Sequence, residues 1–345
     1  MINYQLLGRT GLRVADICLG AMTFGEDWGW GSGKEEARKI YDYYRDRGGN
    51  FIDTANVYTN GSSETFLGEF IAGHRSEVVL ATKYTNAAPG TNPNAGGNHR
   101  KSMMEAVEAS LRRLGTDYID LYWMHIWDRM TPVEEVMRAF DDLVRQGKVL
   151  YTGISDAPAW WIAKGNTLAE LRGWASFAGL QIEYSLIERT PERELIPMAK
   201  EFGLTVTAWS PLGGGVLTGK YLDKAPAADA RMASENMDRF RKDRADEERV
   251  ARAVLAVAKK RGASPAQVAL AWLRYASVPV IPIVGARKLA QLEDNLASLE
   301  VELDSEDLKS LNEASAIRLG FPHEFYEMPM VRTLVYGGLA DRIKV

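Results

Sequence analysis

Short apolar runs alternate with longer stretches of helical period from residue 17 onward. The runs at Ile17–Gly20, Asn50–Thr54, Val78–Lys83, Tyr118–His125, Val149–Ser155, Gly179–Tyr184, Leu204–Ser210 and Val280–Val284 are dense in Val, Ile, Leu and aromatics. They lack clean polar alternation, as parallel strands covered on both faces do. Between them lie amphipathic stripes: Ala37, Ile40, Tyr41 and Tyr44; Met103, Ala106, Val107, Leu111 and Leu114; Val133, Val136, Met137, Phe140 and Val144. "SPAQVALAWL" opens a helix with Ser264 as N-cap, Pro265 at the first helical position and Gln267 completing a capping box. Ser305, followed by Glu306 and Asp307, is expected to start a late helix in the same way. Ahead of all these, "YQLLGRTGLRVADI" joins two short apolar stretches through Gly8-Arg9-Thr10-Gly11 and predicts a β-hairpin.

About eight strand–helix units without a linker-like break predict an α/β fold, a (β/α)₈ TIM barrel whose bottom the hairpin closes. Long loops and a C-terminal tail, residues 318–345, would then cover the active site of one domain spanning residues 1–345. A doubly wound open sheet is the alternative, but no G-x-G-x-x-G follows an early strand. "GGGVLTGK" has the wrong Gly–Lys spacing for a phosphate loop. The stretch from Pro211 to Ala245 exceeds ordinary loop length and reads as a functional lid or a disordered segment.

The totals narrow the function. With 46% hydrophobic and 26% charged residues, the 345-residue chain has the profile of a soluble globular protein. A net charge of −4 gives no support to nucleic-acid binding. No apolar run is long enough to cross a bilayer, and "MINYQLLGRT" is not a signal peptide. Cys18 stands alone, which favours a reducing cytoplasm. The four histidines, His74, His99, His125 and His323, show no metal-ligand spacing, so a metal-centred enzyme such as a barrel hydrolase is disfavoured.

In a barrel of this kind chemistry collects at the C-terminal ends of the strands. "FIDT" ends in Asp53, "VVLATK" in Lys83 and "YIDLYWMH" in His125, while Tyr58 follows Asp53 beside a Thr-Asn-Gly turn. Each alone would read as packing or a solvated tip. Together, neighbouring strands would bring an acid, a cation, an imidazole and a phenol to one rim. A buried cation beside a phenol is expected to lower its pKa from about 10, making it a proton donor near neutral pH. The histidine would orient a carbonyl oxygen.

"GGNFIDTANVY", "LATK" and "DLYWMH" resemble signature stretches of the aldo-keto reductase superfamily. The similarity extends through "LGRTGLRVADICLGAMTFG", "GKVLYTGIS", "QIEYSLIER", "TAWSPLGGGVLTGKY" and "PIVGARKLAQLEDNL". The resemblance implies an oxidoreductase that reduces a small-molecule carbonyl compound to an alcohol with NADPH. In it Tyr58 is the general acid, Lys83 tunes Tyr58, Asp53 pairs with Lys83, and His125 positions the substrate oxygen. It further implies that Ser155, Asp156 and Gln181 meet the nicotinamide carboxamide and that Trp209 stacks on the ring. Met22 and Asp53 join these cofactor contacts, and Ser210, Leu212, Gly215 and Lys220 would line the pyrophosphate. Gly285 precedes a helix on which Arg287, Gln291 and Asn295 recur at i, i+4 and i+8, roughly one face. Arg287 would hold an adenosine 2′-phosphate, which favours NADPH over NADH, with Gln291 and Asn295 at the adenine. Two residues depart from the family pattern: Asp156 stands where Asn is usual, and Trp209 where Tyr is more common. An ionised Asp accepts a hydrogen bond but donates none.

Loops set specificity on such scaffolds. Trp28, Trp30, Trp127, Phe321, Phe325 and Tyr326 are expected to wall a pocket for a hydrophobic or ring-containing carbonyl compound; a ketone of mycotoxin type would fit. Potassium-channel β subunits, which hold the nucleotide as binding modules, resemble the chain too. The lack of an extension ahead of the hairpin favours the stand-alone enzyme. Oligomeric state leaves no signal in the sequence.

Overall fold

The computed structural model describes residues 1–222 and 244–343; most of the Pro211–Ala245 stretch, read as a lid or a disordered segment, lies outside the described residues. Ten strands are described. β1 (Tyr4–Leu6) and β2 (Arg13–Ala15) pair antiparallel as the predicted hairpin. β3 (Cys18–Gly20), β4 (Phe51–Asp53), β5 (Val79–Tyr84), β6 (Ile119–Met124), β7 (Val149–Ser155), β8 (Phe177–Glu183), β9 (Thr205–Trp209) and β10 (Val280–Gly285) close a parallel barrel, β10 pairing with both β9 and β3. β8 begins two residues before its expected start. His125 and Ser210 fall just beyond their strands, on the rim.

Helices α1 (Lys34–Asp46), α2 (Ser62–Ile71), α3 (Arg100–Leu114), α4 (Val133–Arg145), α5 (Ala159–Arg172) and α6 (Leu195–Phe202) alternate with the strands. α7 (Arg244–Arg261), α8 (Pro265–Trp272), α9 (Leu289–Ala297), α10 (Ser305–Ala314), α11 (His323–Tyr326) and α12 (Pro329–Tyr336) complete the described set. The helical stripes bury as their periodicity requires, except that Ala106 and Val144 pack against the core only partly covered, and Leu143 is buried in α4 as well. The capping box at Ser264 forms with Gln267. The late helix starts one residue earlier than expected, because the Asp304 carboxylate accepts from the Asp307 amide at 2.9 Å and takes the cap from Ser305. Among the described residues no helix is long and apolar enough to cross a membrane.

The hairpin meets the N-terminal ends of the strands. Gly8 donates its amide to Thr205 Oγ1 at 2.7 Å, at the start of β9, and its φ of +56° with Ala178 O against it leaves no room for a side chain. Inside the barrel, Lys83, Trp123, Gly153, Gly179 and Thr205 lie in one register across β5 to β9. The fully buried Trp123 indole fills the hollow that the two glycines leave; a Cβ on Gly153 would lie 2.2 Å from it. This packed layer is why the site can form only at the mouth.

Candidate active site

Asp53 ends β4 and Lys83 lies in the adjoining β5, both turned into the barrel and almost wholly buried. They form a buried ion pair. Lys83 Nζ also donates to Thr54 O at 2.7 Å and to Tyr58 Oη at 3.2 Å, so all three ammonium protons have acceptors. The second Asp53 oxygen accepts from Gln181 Nε2 at 3.0 Å, across the barrel on β8. A buried pair survives only with such complete satisfaction.

Tyr58 is brought back over the pair by a tight turn. Thr59 and Asn60 adopt φ of +46° and +54°, and Gly61 +96°. Left-handed backbone at a β-branched residue is strained. Thr59 Oγ1 holds it by donating to Phe24 O at 2.6 Å and accepting from Ser63 N at 3.1 Å. The phenol ring lies edge-on to His125, with centroids 5.7 Å apart, and to Trp28 at 6.3 Å.

His125 receives the Asn86 side-chain amide at Nδ1, 3.2 Å away. An amide NH₂ only donates, so the neutral ring carries its proton on Nε2. Burial, reinforced by the Lys83 charge, pushes the imidazole down to about 3, and it is neutral at physiological pH. Burial also works against the Lys83 ammonium, but Asp53 and Tyr58 outweigh it and hold its pKa above the ordinary value. Tyr58 departs from expectation: its pKa is raised, not lowered. Burial pushes the phenol up, Lys83 pulls it down, and the negative charge of Asp53 takes back part of that pull.

These side chains face a cavity of about 510 Å³ at the C-terminal mouth. Met22, Trp28, Trp30, Ser155, Asp156, Gln181, Trp209, Ser210 and Gly285 reach its wall together with Asp53, Tyr58 and His125. Asp156, at φ +45°, accepts from the Trp209 indole N–H at 3.1 Å, yet burial pushes its carboxyl up to about 6. Ser155 Oγ is buried on the wall beside the Asp156 carboxylate, whose pKa it helps to hold down. Ser210 and the Gly213-Gly214-Gly215 run all have positive φ, a backbone concavity of the kind that suits anions.

Other expected residues stand apart from this wall. Leu212, Gly215 and Lys220 do not line it, and the Lys220 ammonium lies 4.8 Å from the Tyr221 ring centroid. Arg287 precedes α9 rather than lying in it, and Gln291 Oε1 caps the helix by accepting from Arg287 N at 2.8 Å; Asn295 is buried. Trp127 packs edge-on against Trp160, 5.8 Å away, and misses the cavity. Phe321, Phe325 and Tyr326 miss it as well. The tail is drawn to the turn before α6, where Arg193 donates to Arg318 O at 2.8 Å and His323 meets Glu194 at 3.2 Å, leaving Phe321 84% exposed. Asn86, which orients His125, was missed; its only signal is its place three residues after Lys83 in the loop leaving β5. Glu247 reaches the wall from α7 with no sequence signal. Among the described residues no group of three or more His, Cys, Asp or Glu could hold a metal ion.

Residues 16–316 match the Aldo/keto reductase family. The chain is 41% identical over 331 residues to norsolorinic acid reductase stcV of Emericella nidulans, covering 92% of this chain and 83% of that protein. It is 39% identical over 337 residues to aryl-alcohol dehydrogenase GME11368 of Pestalotiopsis microspora, covering 93% and 86%. Uncharacterized oxidoreductase YrpG of Bacillus subtilis is 41% identical over 324 residues, covering 90% and 95%.

Proposed function

The chain belongs to the aldo/keto reductase family, and from that premise we propose that it is an NADPH-dependent reductase of aromatic or polycyclic aldehydes and ketones, with Tyr58 as its general acid. The observation that carries this reading is the Lys83 Nζ–Tyr58 Oη contact of 3.2 Å at the floor of the cavity, with His125 beside it.

A dinucleotide suits the residues around the mouth. Ser155 Oγ offers a hydrogen-bonding group for a carboxamide, Trp209 a flat partner, and the backbone of Ser210, Gly213 and Gly214 a cradle for phosphates. Arg287, beyond the wall, would take the 2′-phosphate. When bound, the reduced nicotinamide supplies the hydride. The protein's own groups handle the oxygen that becomes negative. Tyr58 donates its phenolic proton to it, and His125, neutral with its proton on Nε2, donates a hydrogen bond to the same atom. Lys83 stabilises the tyrosinate left behind, and Asp53 keeps that ammonium charged and fixed. A raised pKa suits this role, since the phenol stays protonated, and ready to give, across the neutral range.

The aromatic preference is supported by Trp28 and Trp30 on the wall and by a relative named an aryl-alcohol dehydrogenase. Steady-state NADPH oxidation against a panel of aromatic and aliphatic carbonyl compounds tests the reading. Repeated turnover with aromatic substrates is expected. Tight retention of NADPH with no turnover across the panel would instead favour a nucleotide-holding module.

A further inference from the structure

A second cavity, of about 580 Å³, opens on the far side of Trp28. It shares Trp28, Val57 and Asn86 with the first, so the two meet along one indole. Its third wall is a stripe of α3 in which Ser102, Glu105, Ala106, Ala109 and Arg113 recur at helical spacing. The two alanines create the space.

The loop that roofs it, residues 86–95, has a fixed neck. Gly97 N donates to Thr85 O at 2.8 Å, and Asn98 Nδ2 donates to Thr85 Oγ1 at 2.9 Å and to Ile126 O at 2.8 Å. Thr85 itself sits at φ +101°, strained backbone that these bonds hold in place. The space is therefore bounded by an anchored loop.

The charges on this wall are already matched. Arg113 donates to the buried Glu64 carboxylate at 2.7 Å, and Glu105 pairs with Lys101. What remains for a ligand are carboxamides: Asn56, Asn60, Asn86 and Asn92. Asn56 Nδ2 donates to Asn86 O at 3.0 Å, while Asn56 Oδ1 is buried without a partner. A buried acceptor left alone is unfavourable, and a turn of the Asn56 side chain toward the cavity it lines would pair that oxygen with a ligand hydroxyl.

We propose that this cavity seats the distal part of the substrate: a neutral, flat, hydroxyl-bearing aromatic ring that runs past Trp28 while its carbonyl stays at Tyr58. The carbonyl end rests on the function proposed above; the subsite itself rests on the cavity and its carboxamides. The paired charges offer a charged extension no open partner, which favours a neutral one, and Trp28 supplies the ring contact.

Three aldehydes with the same reacting group test it: benzaldehyde, biphenyl carbaldehyde and its distally hydroxylated analogue. In the wild type, KM is expected to fall about tenfold from the first to the last, the scale of added apolar and hydrogen-bond contacts. Ala106→Trp and Ala109→Phe, each checked for native-like thermal unfolding, should erase that gain and leave kcat/KM for benzaldehyde within about twofold. Asn56→Leu should remove the hydroxyl increment, read as the ratio of kcat/KM for the hydroxylated and plain biphenyl aldehydes, so that any loss through Asn86 and His125 cancels. Equal losses for all three aldehydes, or a gain that survives both filling variants, would overturn the proposal. Calorimetry with hydroxybiphenyl methanol separates the two readings. If no aldehyde turns over but Ala106→Trp still abolishes binding of this alcohol, the proposed function fails and the subsite stands. Binding indifferent to both filling variants removes the subsite.

Discussion

Asp53 and Asp156, two of the carboxylates on the cavity wall, have different surroundings. Asp53 pairs with a fully buried ammonium and takes a second bond from Gln181. Asp156 has the neutral Trp209 indole N–H at 3.1 Å, and burial raises its pKa to about 6. The first region is built to keep charge inside the protein; the second holds charge only reluctantly. Burial alone does not decide how an acid behaves. The number and charge of its donors do, because hydrogen bonds and an opposite charge both offset the loss of water, and the single indole N–H beside Asp156 offsets less of it than burial imposes.

Removing the ammonium should break this contrast most severely. Lys83→Met leaves Asp53 buried without its cation, which is expected to remove about 3–5 kcal/mol of stability and nearly all turnover, as read by urea unfolding and NADPH oxidation. Replacing both partners, with Lys83→Met and Asp53→Leu, should restore much of the stability and none of the activity. A double variant no more stable than the single one would show that the pair is not the unit described. Tyr58→Phe spares the pair and is expected to lower kcat by about 10²–10⁴-fold, with NADPH affinity by fluorescence titration nearly unchanged. Near-normal kcat would remove Tyr58 as the acid.

Arg287→Ala lies outside both carboxylate regions and is expected to erode the preference for NADPH over NADH by about 10–100-fold, the worth of a charge-assisted hydrogen bond. An unchanged ratio of kcat/KM values would reassign the 2′-phosphate. The smallest effect sharpens the second region. The folded pKa of Asp156 is raised from 3.8 to about 6, so its contribution to stability is full below the lower value and is lost as pH rises through the upper one. Asp156→Asn should cancel that loss, making the variant more stable than wild type above about pH 6 by on the order of 2–3 kcal/mol. His125, depressed from 6.5 to about 3, has the opposite slope in both proteins and drops out of the difference. Parallel stability–pH curves would mean that Asp156 does not titrate as its surroundings dictate.

The barrel was legible because parallel strands must be apolar on both faces, so their runs stand out, and the reactive residues that end them stand out more. Asp53, Lys83 and His125 are fixed by strand register, and Tyr58 by a short turn. Trp127, Phe321, Phe325 and Tyr326 sit on longer connections whose direction no periodicity encodes, and tail contacts with Arg193 and Glu194 carried three of them elsewhere. The Tyr58 shift was misread for a related reason. The sequence names the cation beside the phenol but not the depth of burial, and here depth outweighs the cation. Asn86 needed the fold, since one asparagine in a loop of four has no feature that selects it.

The indole of Trp123 gives the molecule a direction. By corking the barrel at the level of Lys83, it turns the ion pair toward the C-terminal mouth. On the proposed chemistry, a proton returning to Tyr58 through that mouth shares it with the substrate, so a large product lingering there would delay recharging as well as release.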